Sequence, residues 1–370
     1  MKFILSATTS WNLFNSRMGL AKALKARGDE VVFLSPYDEF TQNLINEGFR
    51  WVHFPLRPRG KNIFQEIVSM LFMISFYRHE QPDFVNHFTP KGVIYGSIAA
   101  KIAGVRVIFN TITGLGSVFS GNSNKILKTL VMLLYPIALA NTITVFQNPD
   151  DQILFQEKRI VNSNKSFLIR SSGIDIARFK FTPQLKNNPV KVLLSSRFVE
   201  EKGIWYFVEA ARILKAQNAK IRLVLVGQPE ENQPTSIRLT EIEAWVKNDL
   251  IEWWGWHNKM EEIYPKAHIF CLPTYYMEGV PKALIEAAAC GLPLIATDVP
   301  GCREIVENGE NGILVPPKNA LALADAIMKI AEDEKMRKKM GRRSREIAVD
   351  NFSMEKVVAG YFALYEEYRT

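Results

Sequence analysis

The chain has 370 residues, 47% of them hydrophobic and 23% charged, which is apolar material for two ordinary cores and too much for a disordered segment. Its three cysteines (Cys271, Cys290 and Cys302) form neither a disulfide framework nor a metal-ligand spacing, and they fit a reducing, cytoplasmic setting. The net charge of +8 is uneven: residues 1–185 hold 21 Lys and Arg against 12 Asp and Glu, and with no nucleic-acid motif beside it this excess points to an anionic membrane surface or an acidic substrate.

In chain order, Lys2–Ala7 is predicted as a strand, its apolar run being too short for a signal peptide. A loop Thr8–Asn15, a helix Ser16–Arg27 ended by Gly28 and a strand Glu30–Ser35 follow. This has the order of a nucleotide-binding sheet, without the glycines expected in its first loop. Arg17 opens the helix, where it either meets an anionic acceptor or is an ordinary solvated arginine. Ile67–Tyr77 and Leu130–Ala140 are apolar stretches well short of the roughly 20 residues that cross a bilayer. Their flanks are basic: Arg57, Arg59, Lys61 and Arg78 around the first, Lys125 and Lys128 before the second. Each is a core helix or a helix lying in the membrane interface.

Between them runs Asp83–Gly92, then a helix Val93–Ala103, a strand Val105–Asn110 and a loop Thr111–Gly116. His87 and Lys91 fall at a strand end, where contact with a substrate competes with the roles of buried histidine and solvated lysine. The polar, Pro-closed stretch Gln184–Pro189 is the expected boundary, giving domains 1–183 and 184–352 and a last helical segment 353–370.

Val190–Ser195 starts the second sheet. Arg197 and Lys202 then converge on the loop that opens helix Ile204–Ala216, and two cations at a helix start suit a diphosphate. Ile221–Val226 and Ile251–Trp254 are further strands, the latter followed by Gly255 and Trp256. His268–Leu272 reads as a buried strand, Pro273–Val280 as its loop, Lys282–Cys290 as a helix with Pro281 at its start, and Leu292–Thr297 as the next strand. This βαβ unit carries Glu278 at the loop-to-helix junction and Glu286 inside the helix. A phosphate suits the helix start, and a carboxylate there suits sugar hydroxyls, so the pair hints at a phosphorylated sugar; spacing alone fits better with Glu278 as a solvated loop residue and Glu286 as a satisfied helix residue. Residues 318–346 read as helices with solvated charged faces.

The run Glu278-Gly279-Val280-Pro281-Lys282-Ala283-Leu284-Ile285-Glu286, continued in Gly291-Leu292-Pro293, Pro300-Gly301 and Asn311-Gly312, resembles the E-x7-E region of retaining glycosyltransferases of the family 4 type. The resemblance covers most of the carboxyl half and the amino half more thinly. It implies an α/β fold of two Rossmann-like doubly wound domains facing across a cleft (the GT-B type). It also implies Arg197 and Lys202 on the donor diphosphate, Glu286 on the ribose, and Glu278 with the amides of Gly279, Val280 and Pro281 on the transferred sugar. Backbone around Trp256 would hold the base, and the last helix would cross back to the first domain. His87 and Lys91 match a segment of members acting on lipid-linked sugars, while Thr113 stands where many relatives have histidine. His87 is thus a catalytic candidate, and Arg17, Lys91 and Thr113 are acceptor candidates.

With no Asp-x-Asp motif, no metal and no other cofactor are expected, leaving fixed cations and the helix dipole to stabilise the departing diphosphate. Asp38–Thr41, Pro90-Lys91 and Gly114–Gly116 look most like bacterial undecaprenyl-diphosphate-linked sugar N-acetylgalactosaminyltransferases. The implied donor is a UDP-N-acetylhexosamine and the implied acceptor a polyprenyl-diphosphate-linked sugar at the cytoplasmic face of the inner membrane. Two other readings stay open. One is a nucleotide-sugar epimerase or phosphorylase on the same scaffold; the other is a non-catalytic nucleotide-sugar-binding subunit.

Overall fold

The computed structural model describes residues 1–56, 63–115, 125–183, 189–230 and 233–369. It divides into two compact units, one made of Met1–Gly173 with Met354–Thr370, the other of Ile174–Ser353.

The first unit is a parallel sheet of β1 (Lys2–Ser6), β2 (Glu30–Ser35), β3 (Arg50–His53), β4 (Phe84–Phe88), β5 (Val107–Ile112), β6 (Ile143–Phe146) and β7 (Ser166–Leu168), in the order β3-β2-β1-β4-β5-β6-β7. Its helices are α1 (Ser10–Ala26), α2 (Thr41–Asn46), α3 (Ile63–Glu80), α4 (Pro90–Ala103), α5 (Lys125–Leu139), α6 (Pro149–Glu157) and the returning last helix, Met354–Glu367. The central strands are near-continuous apolar runs because helices cover both of their faces. Alternation decides the side: Phe3, Leu5, Phe84 and Phe109 pack under α1 and the returning helix, while Ile4, Val85 and Ile108 pack with Met73 and Tyr77 of α3 and Ala99 of α4.

The second unit is a parallel sheet of β8 (Val190–Ser195), β9 (Ile221–Val226), β10 (Glu252–Trp253), β11 (Ile269–Leu272), β12 (Leu294–Thr297) and β13 (Gly312–Val315), ordered β10-β9-β8-β11-β12-β13. Its helices are α7 (Ile204–Ala216), α8 (Leu239–Lys247), α9 (Lys282–Ala289), α10 (Pro300–Arg303), α11 (Ala320–Glu332) and α12 (Glu334–Phe352). One core holds Leu193, Phe270, Leu284 and Phe352; the other holds Leu194, Phe207, Trp245 and Ile327. Each fully buried side chain of this size contributes about 1.5–3 kcal/mol relative to exposure. The returning helix is thirteenth in the chain and is called α13.

Two expectations change. The first loop is shorter than Thr8–Asn15, because Thr9 caps α1 by accepting from the Asn12 amide at 3.1 Å and Leu13 is already buried beneath the helix. The boundary falls at Ile174 rather than Gln184, since Ile174 and Phe179 are part of the second unit's core and the Ile174 amide donates to the Phe352 carbonyl at 2.9 Å. Residues 184–188 of the expected linker, the basic flank Arg57, Arg59 and Lys61, and Gly116 lie outside the described residues.

The two apolar stretches belong to α3 and α5, which flank α4. Each buries one side and exposes the other: Phe64, Ile67, Val68 and Leu71 on α3, and Leu130, Leu133 and Ile137 on α5. Among the described residues, no helix is long and apolar enough to cross a membrane.

Candidate active site

In the second unit the strand order reverses between β8 and β11, the position at which open α/β sheets bind ligands beyond their carboxyl ends. The loops leaving these two strands carry Arg197 and Lys202 on one side and Glu278 on the other. They are held backbone against backbone. Gly203, with φ +76°, ends the β8 loop, and a Cβ there would collide with the Pro273 carbonyl. Gly301 does the same for the far side of the β11 loop, where a Cβ would strike the Gly279 carbonyl. The Tyr275 amide donates to the Glu201 carbonyl at 2.9 Å, and the Thr274 hydroxyl donates to the same oxygen at 3.0 Å. Glu278 is therefore fixed by its neighbours rather than left on a free loop.

Lys202 is nearly buried, and its Nζ donates to Glu278 Oε1. The Tyr276 ring lies 5.7 Å from the same Nζ. Arg197, half exposed, donates through Nη1 to Glu230 Oε2 at 2.5 Å. The sequence-predicted diphosphate cations thus lie in one loop, each answered by a carboxylate. Glu230 was not a sequence candidate; it stands 33 residues from Arg197 in the loop after β9, and only the fold joins them.

Pro281 precedes α9, whose start has no side-chain cap and follows directly on Gly279 and Val280 of the β11 loop. Glu286 lies one turn into α9. The Tyr264 hydroxyl donates to its Oε2 at 2.9 Å, and Lys282 Nζ stands 3.7 Å from Oε1. Burial pushes the Glu286 carboxyl above its ordinary range, with Lys282 and Tyr264 opposing it. Tyr264 is itself fully buried and was missed by sequence reasoning. Trp256, beyond β10, is 53% exposed, an indole face available for stacking. Its loop is tied in by the Gly227 amide, which donates to the Gly255 carbonyl at 2.8 Å.

The first unit treats its candidates differently. His87 is not available as a catalytic group. It is fully buried on the α3–α4 side of β4, with Nε2 3.0 Å from the Tyr77 hydroxyl and Nδ1 3.1 Å from Asn110 Oδ1. Asn110 Oδ1 can only accept, so the imidazole proton sits on Nδ1 and Tyr77 donates to Nε2. Burial lowers its pKa to about 4 against the Asn110 bond, which keeps the ring neutral. Lys91 pairs with Glu66 at 2.6 Å. Thr113 is half-buried just beyond β5. Arg17 lies inside α1 rather than at its start, because the helix already begins at Ser10; it is 2% exposed, its guanidinium carbon 4.1 Å from the centre of the Phe88 ring.

Residues 2–148 match the family model described as glycosyl transferase 4-like, and residues 175–347 match that of glycosyl transferases group 1. The chain is a glycosyltransferase that carries both of these domains. This glycosyltransferase is 27% identical, over 96% of both chains, to N,N'-diacetylbacillosaminyl-diphospho-undecaprenol alpha-1,3-N-acetylgalactosaminyltransferase of Campylobacter jejuni. It is 25% identical, over 90% of both chains, to UDP-Gal:alpha-D-GlcNAc-diphosphoundecaprenol alpha-1,3-galactosyltransferase of Escherichia coli. Sucrose-phosphate synthase of Thermosynechococcus elongatus superposes on it with a TM-score of 0.83 at 20% identity, over 99% of both chains. That likeness establishes the fold, the GT-B type expected from the sequence.

Proposed function

We propose that the enzyme moves an N-acetylhexosamine, GalNAc first among the candidates, from a UDP-sugar to a polyprenyl-diphosphate-linked sugar in bacterial glycan assembly, with retention at the anomeric carbon. The observation that carries the reading is the Lys202–Glu278 pair at the strand-order reversal, with Glu286 one turn into the helix that follows. Arg197, Lys202 and the start of α9 receive the donor diphosphate, Glu286 the ribose, and Trp256 with its neighbouring backbone the base. Glu278, the amides of Gly279 and Val280, and the backbone at Pro281 hold the sugar. The acceptor class and the UDP donor are supported by what the Campylobacter and Escherichia relatives act on.

In the reaction, the bond from the sugar's C1 to the diphosphate oxygen breaks, and C1 bonds the acceptor hydroxyl on the same face. The hydroxyl proton passes to the leaving diphosphate. Fixed cations placed where that charge develops lower the barrier without reorganising. Lys202 is already held in position by Glu278, and an arriving diphosphate exchanges that carboxylate for a phosphate oxygen. We assign no metal to the step, so chelation with EDTA leaves transfer unchanged.

The outward apolar faces of α3 and α5 fit shallow insertion beside lipid headgroups, the peripheral placement on the inner membrane face that a lipid-linked acceptor requires. Leu133→Glu is expected to lose flotation with anionic vesicles while keeping its melting temperature.

The deciding experiment is transfer of label from UDP-N-acetylhexosamines into solvent-extractable lipid, with wild type beside Glu278→Gln. Label in lipid that the variant loses supports the reading and names the donor. UDP binding with no transfer to any polyprenyl-diphosphate sugar would defeat it.

A further inference from the structure

The first unit has a reversal of its own. Its order β3-β2-β1-β4-β5-β6-β7 turns between β1 and β4, so the crevice beyond those two strand ends is where the topology places a ligand. Three features meet there. Phe88 is the last residue of β4, and the next, Thr89, holds φ 69° and ψ 147°, a conformation that a non-glycine residue adopts only under constraint. No side chain caps α4, the helix that Thr89 opens, so its positive end faces the crevice. Above Phe88 lies the Arg17 guanidinium.

Arg17 is 2% exposed and pairs with no carboxylate among the described residues, and its Nε has no hydrogen-bond partner. Among the described residues no carboxylate packs against it. The returning helix supplies the neutral hydroxyls of Tyr361 and Tyr365, and these are already engaged, the first with Thr111 at 3.1 Å and the second with Asn86 at 3.1 Å. A buried guanidinium without a counter-charge is among the costlier arrangements in a protein interior. An arginine fork matches phosphate oxygens in pairs, and an uncapped helix start adds donors and a favourable dipole.

We propose that this crevice is a second anion subsite, in which Arg17 and the start of α4 hold a phosphate of the acceptor's diphosphate. The proposal rests on the acceptor reading above and adds to it the residue and the place.

The test is calorimetric titration of inorganic pyrophosphate into the full chain with UDP saturating, so that the donor's diphosphate seat is filled. One pyrophosphate is expected to bind wild type. Arg17→Gln weakens it by about tenfold or more, the effect of losing a charge-assisted contact, and Arg17→Lys weakens it less. UDP affinity is unchanged in both. In turnover, Arg17→Gln raises KM for the lipid acceptor and not for the donor. No pyrophosphate binding to UDP-saturated wild type overturns the proposal, and so does a variant that titrates like wild type. If UDP and pyrophosphate compete for a single site, the anion at Arg17 belongs to the donor and the assignment is wrong. Wild type alone decides the matter should Arg17→Gln not fold. Because the titration needs no lipid acceptor, it succeeds or fails separately from the label-transfer assay.

Discussion

The two units share a topology and differ in electrostatics. Each is a doubly wound parallel sheet whose strand order reverses once, and each brings cations to the strand ends at that reversal. In the second unit the cations come with their own carboxylates, Lys202 with Glu278 and Arg197 with Glu230. In the first, Arg17 has aromatic and hydroxyl neighbours instead. Topology therefore says where a ligand goes, and the local carboxylates say on what terms. A paired cation is neutralised until a phosphate replaces its partner. An unpaired buried one is poised for an anion from the outset.

The sharpest way to break this contrast is at Lys202. Lys202→Met removes the charge that the departing diphosphate meets while leaving the stem to fill the same space. Transfer is expected to fall by about 100- to 1000-fold in kcat/KM, the range for losing one preorganised group that acts on developing charge. The melting temperature should hardly move. A variant retaining most of its activity would mean that the Lys202–Glu278 pair is scaffolding and that the comparison of the two reversals has no catalytic content.

The second unit was the more legible of the two. Most of its strands are apolar runs closed by Pro or Gly, and the helix expected at Lys282–Cys290 is α9, Lys282–Ala289. The E-x7-E spacing placed Glu278 and Glu286 on one βαβ unit, and the fold puts them there. Partners from other loops were invisible: nothing local marks Glu230 or Tyr264, because the pairs they make join residues 33 and 22 positions apart. In the first unit the strand Phe84–Phe88 is buried throughout, and its alternation already puts His87 on the side of Val85. That is the packed α3–α4 side, so period-two reading of the strand argues against His87 as a catalytic group. The early start of α1 was missed because Thr9 lies in a stretch of polar residues, where any of several hydroxyls can cap.

The first unit also has a carboxylate cluster away from Arg17, where β1 and β3 begin. Glu80 closes α3 with its side chain 5% exposed, taking Arg50 at 2.6 and 2.8 Å and Lys2 at 3.1 Å. The Arg50 hydrogen bonds, with help from Lys2, hold its carboxyl at about 2 against the opposing effect of burial. A pKa depressed by folding contributes stability above the ordinary carboxylate range and loses it as pH falls from about 4.5 toward 2. Arg50 is half exposed, so solvent screening trims the contribution to about 2 kcal/mol. Glu80→Gln should lose that amount in denaturant midpoints at neutral pH, less than half of it near about pH 3 and very little near about pH 2. An equal loss at all of these pH values would show that Glu80 acts by packing and not by charge.

The smallest expected effect tests the pairing in the second unit most directly. Glu230→Gln keeps the shape of its loop and removes the charge facing Arg197. If the carboxylate only neutralises Arg197 while the site is empty, the variant should bind UDP about two- to fivefold more tightly at low salt, since half-exposed ion pairs are weak. The gain should shrink as salt screens the freed guanidinium. Weaker UDP binding at every salt concentration would give Glu230 a different role: the carboxylate would then aim the guanidinium, and the carboxylates of this site would position its cations as well as neutralise them. Arg17, with no such partner among the described residues, would then owe its orientation to the face of Phe88 and its other uncharged neighbours, and the two reversals would differ in how they aim a cation as much as in how they balance it.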